Sequence, residues 1–264
     1  MNIIIISTLI VAILGILIGI LLGIFSDIFK VEVDEKITKI RECLPGNNCG
    51  SCGYAGCDAC AEAISKKEAP VTACPVGGQT AIDNISKILG VEASTQKRKV
   101  AFVSCNGTCE NVKKNYEYQG QKSCALVMGL ANNGEKACEY SCIGYGDCVA
   151  KCQFDAISII DGVAVVDKEN CTSCQACIKA CPMNIISLVD YDKKVLIRCN
   201  NHNKGKEAKD KCKTSCIACK ICEKNCPEKA IKVIDNLSVI NYEKCTDCAT
   251  CAEKCPQKVI ISNH

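Results

Sequence analysis

The sequence predicts an α+β chain: one N-terminal transmembrane helix, then a small four-cysteine domain, then two tandem cysteine-rich modules. Three observations predict it. Of 264 residues 27 are cysteine, with no tryptophan and only two histidines. The run from Ile3 to Phe25 is apolar and carries no charge. A pattern of the form CxxCxxCxxxCP then occurs three times in the C-terminal half.

Composition narrows the chemistry before any element is placed. A disulfide framework belongs to short secreted chains in oxidising compartments, and this chain is long with an odd number of thiols. The formal net charge of +3, from 32 basic and 29 acidic residues, gives no bulk attraction to a polyanion, so nucleic acid is not an expected partner. With 4% aromatic residues a large oil-like core is not expected, and small modules must be held by inorganic centres instead.

The first element is the apolar run. As a helix it spans about 34 Å, enough for a hydrocarbon core of about 30 Å. No basic segment precedes it and no small-residue cleavage site follows, so it reads as an uncleaved single-pass anchor over residues 1–28. Lys30, Lys36, Lys39 and Arg41 follow it, which places the body of the chain on the cytoplasmic side of the cell membrane. Gly15, Gly19 and Gly23 recur every fourth residue and offer one smooth helix face to a partner helix.

The repeats carry the chemistry. They are Cys171-Thr-Ser-Cys174-Gln-Ala-Cys177-Ile-Lys-Ala-Cys181-Pro182, and the equivalent runs Cys216, Cys219, Cys222, Cys226-Pro227 and Cys245, Cys248, Cys251, Cys255-Pro256. This is the bacterial ferredoxin run for a [4Fe–4S] cluster, in which three thiolates grip one cluster and the fourth turns away to the other cluster of a pair. Zinc uses CxxC pairs, but a four-thiolate zinc site explains neither the third cysteine nor the repeated Cys-Pro. The step from Cys226 to Cys245 is repeated between Cys152 and Cys171, and Cys152 closes the degenerate half Cys138, Cys142, Cys148, Cys152. Ile157, Ile186, Ile231 and Ile260 each stand five places after the fourth cysteine of a half. Asp161-Gly162 sits between apolar stretches as a hairpin turn.

Two modules of two clusters follow, at 138–190 and 212–264. Crossed ligation gives four sets: Cys138, Cys142 and Cys148 with Cys181; Cys171, Cys174 and Cys177 with Cys152; Cys216, Cys219 and Cys222 with Cys255; Cys245, Cys248 and Cys251 with Cys226. The first set departs from the spacing of the others. Residues 91–99 and 191–211 read as linkers and 100–137 as a connecting region with extra cysteines. His202 and His264 read as solvent-exposed.

The remaining domain, 29–90, holds Cys49, Cys52, Cys57 and Cys60, and also Cys74, which precedes Pro75 as the cluster cysteines precede theirs. The segment from Leu44 to Cys57, then Ala61-Glu-Ala-Ile64, then Cys74-Pro-Val-Gly-Gly78, resembles the four-cysteine iron–sulfur domain of the B subunits of Rnf complexes. With the anchor and the tandem modules, the resemblance covers nearly the whole chain. It implies that Cys49, Cys52, Cys57 and Cys74 hold a fifth cluster and that no thiol is required at Cys60; Cys43 and Cys60, which adjoin that cluster, read as buried free thiols. It also implies an electron-transfer subunit of a translocase. Electrons would come from soluble ferredoxin and leave toward other membrane and peripheral subunits, with NAD reduction coupled to Na⁺ or H⁺ export.

Five thiols are left: Cys105, Cys109, Cys124, Cys199 and Cys212. Four of them would complete a sixth cluster joining the modules, with Cys124 the first to leave out. The strand-like stretches Val100–Ser104 and Val195–Arg198 lead into two of them. No nucleotide loop, haem motif or HExxH is found, so no catalytic residue is expected. Two other readings compete: a polyferredoxin subunit of a different membrane oxidoreductase, and a membrane-tethered zinc-rich interaction protein.

Overall fold

The computed structural model describes residues 2–28, 34–93 and 95–262, with side chains of the first helix described at 5, 6, 9, 10 and 12–25. Lys30 and His264 lie outside the described residues. Helix α1 spans Asn2–Ile28. Its described apolar side chains are bare, Leu22 at 64% and Ile16 at 63% exposure, and nothing stands within 4 Å of where a Cβ would sit on Gly15, Gly19 or Gly23. On the described residues alone no helix is long and apolar enough to cross a membrane, so the expected span rests on the sequence.

Three helices form the next domain: α2 (Glu35–Cys43), α3 (Cys57–Ser65) and α4 (Gly78–Leu89). Asp34 starts α2 by accepting the Lys36 N–H at 2.9 Å, and Gly90, at φ 66°, ends α4 in the left-handed region that glycine enters without a steric penalty. Ile40, Ile64 and Ile85 are buried together with Cys57, Cys60 and Cys74. Thiols therefore make up part of a core too small to be built from aliphatic residues alone.

The remaining elements are built twice. The first set is β1 (Lys99–Val103), α5 (Cys124–Val127), α6 (Asp147–Ala150), β2 (Ile157–Ile160), β3 (Val163–Val166), α7 (Ala176–Ala180) and β4 (Ile186–Asp190). The second is β5 (Val195–Ile197), α8 (Gly205–Lys211), α9 (Ile221–Asn225), β6 (Ile231–Ile234), β7 (Leu237–Ile240), α10 (Thr250–Glu253) and β8 (Ile260–Ser262). Each set has a tight antiparallel hairpin, β2 with β3 and β6 with β7, and a second antiparallel pair, β1 with β4 and β5 with β8. The hairpins turn at Asp161-Gly162 (φ 47° and 77°) and Asp235-Asn236 (φ 48° and 61°). Two successive positive φ values are what a type I′ turn needs, and its twist matches that of the strands. Ile157, Ile186, Ile231 and Ile260 each begin a strand and each is buried.

The stretch from Asn201 to Lys211, expected as a solvated linker, instead folds against the body. It carries α8, whose Ala208 is fully buried, and Asn201 is 1% exposed. Its lysine-rich pattern hides this because one small apolar residue per turn is all that the packed face shows. His202, expected to be exposed, is half-buried: its Nδ1 lies 2.8 Å from the Asp235 carbonyl and its ring stands edge-on to Tyr140.

Candidate metal centres

The cysteine loops share one backbone signature. In each CxxCxxC run the residues two and four places after the first cysteine are left-handed: Ser173 and Gln175, Ala218 and Lys220, Asp247 and Ala249, with φ between 56° and 63°. A side chain there costs about 1–2 kcal/mol per residue. Three repetitions of that cost mark a functional constraint. Alternating hand turns successive N–H groups inward and makes a concavity for an anionic group, the arrangement found around iron–sulfur clusters. The third residue after each fourth cysteine is left-handed too: Asp155, Asn184, Lys229 and Lys258.

This signature fixes the register of the degenerate half. Gly144 (φ 91°) and Gly146 (φ 84°) stand two and four places after Cys142, so Cys142 is the first cysteine of that run and Tyr145 occupies the place of the second. Gly144 has a further reason to lack a side chain, because a Cβ there would run into the Gly162 carbonyl.

Three small apolar cavities are each walled by four thiols. Cys216, Cys219, Cys222 and Cys255 line one. Cys226, Cys245, Cys248 and Cys251 line the second. Cys142, Cys148 and Cys181 line the third, where Cys124 is the fourth. Around Cys177 the nearby thiols are Cys171, Cys174 and Cys152. In every case the thiol from the fourth position of one run crosses to the loop of its mate.

Burial pushes these thiols up, Cys148 and Cys222 to about 12 and Cys177 and Cys251 to about 11, and neighbouring thiols add to it. Such pockets favour thiolates only when a cationic group shares them. Among the described residues no three His, Cys, Asp or Glu side chains converge closely enough to hold a single ion. Four thiolates on one zinc lie about 3.8 Å apart, given a Zn–S bond of about 2.3 Å. The four-thiol sets do not converge that closely, and they fit a [4Fe–4S] cluster in donor type, number and loop geometry.

Cys138 is not in the set where the sequence placed it. Cys124 takes its place, held by Asp147, whose carboxylate accepts the Cys124 and Ala125 N–H groups and the Ser123 hydroxyl at 2.9–3.0 Å. Asp147 adjoins Cys148, so this contact brings the connecting region's thiol to the loop that lacks one. Cys138 faces the other way: it is buried with Val112 and Cys212, and Cys105 and Cys212 are the thiols around it. Of the thiols left over by sequence reasoning, Cys109 is exposed, whereas Cys105, Cys199 and Cys212 are buried.

A signal for this was available. The step along the chain from Cys138 to Cys212 equals those from Cys142 to Cys216, from Cys148 to Cys222 and from Cys171 to Cys245. Aligning the halves on that shared step sets Cys138 outside the run, like Cys212, and exposes Tyr145 opposite Cys219. The step from Cys105 to Cys199 is longer, which reveals an insertion in the first half. Cys124 lies within it.

In the N-terminal domain, Cys52, Cys57 and Cys74 gather around Cys60, which is 1% exposed and is pushed up to about 12 by burial, with the neighbouring Cys52 adding to it. Burial also raises Cys74, although the N–H groups of Gly77 and Val76 oppose it. The Cys49 thiol lies 3.1 Å from the Ser51 hydroxyl. That hydroxyl donates to the Cys174 carbonyl at 2.8 Å and ties the first loop to a ferredoxin-type loop. Asn48 accepts the Cys57 N–H at 2.8 Å and closes the turn between them. Cys43 is half-buried, with its thiol donating to the Lys39 carbonyl.

An Fe-S cluster family model matches residues 44–76, and a 4Fe-4S dicluster domain model matches residues 170–231 and 215–260. The chain is 44% identical to the B subunit of the Na⁺-translocating ferredoxin:NAD⁺ oxidoreductase complex of Acetobacterium woodii, over 93% of this chain and 74% of that one. It is 43% identical to the B subunit of the ion-translocating oxidoreductase complex of Methanosarcina acetivorans, over 93% of both chains. It is 36% identical to the B subunit of the proton-translocating ferredoxin:NAD⁺ oxidoreductase complex of Clostridium ljungdahlii, over 93% of this chain and 87% of that one.

Proposed function

The chain belongs to the family of B subunits of ion-translocating oxidoreductase (Rnf) complexes, and from that premise we propose how it works as their iron–sulfur electron-transfer subunit. The observation that carries the reading is the crossed lining of the cavities, in which Cys181, Cys226 and Cys255 each leave their own loop to complete the neighbouring one. Bound [4Fe–4S] clusters supply one-electron chemistry, and the protein contributes spacing, burial and hydrogen bonds that set their potentials. Five clusters follow from these ligands: Cys49, Cys52, Cys57 and Cys74; Cys124, Cys142, Cys148 and Cys181; Cys152, Cys171, Cys174 and Cys177; and the two sets of the second module.

The contacts support short steps between neighbouring sites. Ser51 joins the N-terminal loop to the Cys174 loop. Crossing by Cys152 and Cys181 makes the two sites of the first module neighbours, and Cys226 and Cys255 do the same in the second. We place electron entry from soluble ferredoxin on this chain and exit toward the other members of the complex. The bare apolar side chains of α1 support a single membrane span, and the basic residues Lys36, Lys39 and Arg41 after it support a cytoplasmic cysteine-rich body, where thiolates stay reduced. Two of the relatives are named for different ions, Na⁺ and protons, so ion choice belongs with the partner subunits. No charge lies in the apolar run to form an ion path.

Iron and acid-labile sulfide analysis of anaerobically purified protein tests this. The expected result is about 20 or more iron atoms per chain, at four per cluster, bleached in the visible on mixing with reduced ferredoxin. Colourless protein holding zinc would overturn it.

A further inference from the structure

One group of buried thiols lies outside those five sites. Cys105, Cys138, Cys199 and Cys212 are 5%, 6%, 8% and 6% exposed. We propose that these four cysteines hold a sixth [4Fe–4S] cluster at the junction of the two modules.

The site is built symmetrically. Cys105 stands two places after β1 and Cys199 two places after β5. The Cys105 thiol accepts N–H groups from Gly107 and Cys142, both at 3.3 Å. The Cys199 thiol accepts them from Asn201 at 3.4 Å and Cys216 at 3.3 Å. Ser141 closes a turn onto the Cys138 carbonyl at 2.7 Å, and Ser215 closes the same turn onto the Cys212 carbonyl at 2.9 Å. Two amide donors aimed at one sulfur are what a thiolate ligand to a cluster receives, and a neutral free thiol has no need of both.

The two halves exchange partners across the junction. The Cys105 loop reaches the second module, where Thr214 donates to the Asn106 carbonyl at 3.1 Å and Val112 bridges to Cys212. The Cys199 loop reaches the first, where Asn203 donates to Glu139 at 3.3 Å and His202 packs on Tyr140. Cys105 is a near neighbour of Cys138, Cys199 and Cys212 alike.

Lys136 gives an independent sign of a negative group. It is 6% exposed, and its Nζ donates to the carbonyls of Gly107, Cys142 and Gly162 at 2.7–2.8 Å. It takes part in none of the ion pairs among the described residues. A buried ammonium without a counter-charge is costly. Its charge is felt at Cys142 and Cys212, on either side of it. A cluster core of charge +2 bound by four thiolates is net negative and supplies the missing partner.

The sixth cluster rests on the five-cluster reading, and iron counting on the full chain separates the two. Wild type is expected to hold about 24 iron atoms rather than about 20, at four per cluster. Cys105→Ala and Cys199→Ala should each lower iron by one cluster's worth, and combining them should remove no more than either alone. Cys109→Ala should leave the count unchanged. Joint replacement of Cys138 and Cys142 should remove two clusters' worth of iron, because these residues serve different sites. Wild type at about 20 iron atoms, with Cys105→Ala unchanged, would overturn the sixth cluster and leave the five standing. Near-zero iron in wild type would sink both. If the cysteine variants fail to fold, Lys136→Met offers a second route. It should keep all the iron and lower the midpoint potential of one cluster in an EPR-monitored titration, and a full iron count with unshifted potentials would contradict the role of Lys136 beside a cluster.

Discussion

Module 1 and module 2 follow one plan and differ where it matters most: Tyr145 stands in the first where Cys219 stands in the second. The backbone around Tyr145 still has the left-handed pattern of a ligand loop, supplied by Gly144 and Gly146 rather than by strained side chains. An insertion brings in Cys124, and Asp147 fastens it beside Cys148. The repeated unit is therefore the site and not the linear motif. A ligand can come from another segment provided the cavity receives four thiols.

Cys124→Ala should disturb this pairing of modules most. It should cost module 1 one cluster, a fall of up to about four iron atoms per chain, as Cys219→Ala should in module 2. Unchanged iron in Cys124→Ala, with loss in Cys219→Ala, would return the fourth ligand to some other residue. The converse change asks whether position alone makes a ligand. Adding Tyr145→Cys to Cys124→Ala rebuilds the module 2 spacing within module 1, and part of the lost iron should return. Tyr145 packs its ring 6.2 Å from Tyr118, so its removal opens space and recovery should be incomplete.

Much of this was legible in the sequence. The three regular runs, their crossing, the hairpin at Asp161-Gly162 and the strand starts at Ile157, Ile186, Ile231 and Ile260 follow from spacing alone. Spacing is a local signal, and it works where a loop supplies its own ligands. Cys124 escaped because its contact to Asp147 links distant stretches of the chain. Cys138 was misplaced because CxxxC imitates a stretched form of the run, although the step it shares with Cys212 argues otherwise. The packing of Asn201–Lys211 escaped because one buried alanine among lysines leaves almost no hydrophobic periodicity to read.

The hairpin turns give a smaller contrast between the modules. Gly162 has φ 77°, and a Cβ there would stand 3.1 Å from the Cys109 sulfur. Gly162→Ala should therefore destabilise module 1 by about 1–2 kcal/mol, the usual penalty for a side chain in the left-handed region. It should also lower the temperature at which cluster absorbance is lost. At the matching place in module 2, Asn236→Gly relieves a similar strain but gives up a 3.1 Å hydrogen bond from Asn236 to the His202 carbonyl. The two nearly cancel, and little change is expected. A large loss from Asn236→Gly would mean that the hydrogen bond outweighs the turn.

Asp147 supplies the mildest contrast, since its counterpart in module 2 is Ile221. Burial works to raise its carboxyl, but the N–H groups of Ala125 and Cys124 and the Ser123 hydroxyl outweigh that and hold it below the usual aspartate value. Stability drawn from a lowered carboxyl is fully present above its unfolded value, about 3.9, and is lost as pH falls through the folded one. The fastening of α5 should therefore be constant from neutrality down to about pH 5 and weaken only below about pH 4. Asp147→Asn keeps one acceptor and loses the charge, at a cost of about 1 kcal/mol. Amide hydrogen exchange over residues 123–127 should speed up in that variant at neutral pH and converge with wild type in acid. Exchange in the segment of module 2 around Ile221, where Glu223 accepts the Val233 N–H at 3.1 Å, should be the same in Asp147→Asn as in wild type, and a parallel change there would assign the effect to general loosening and not to Asp147.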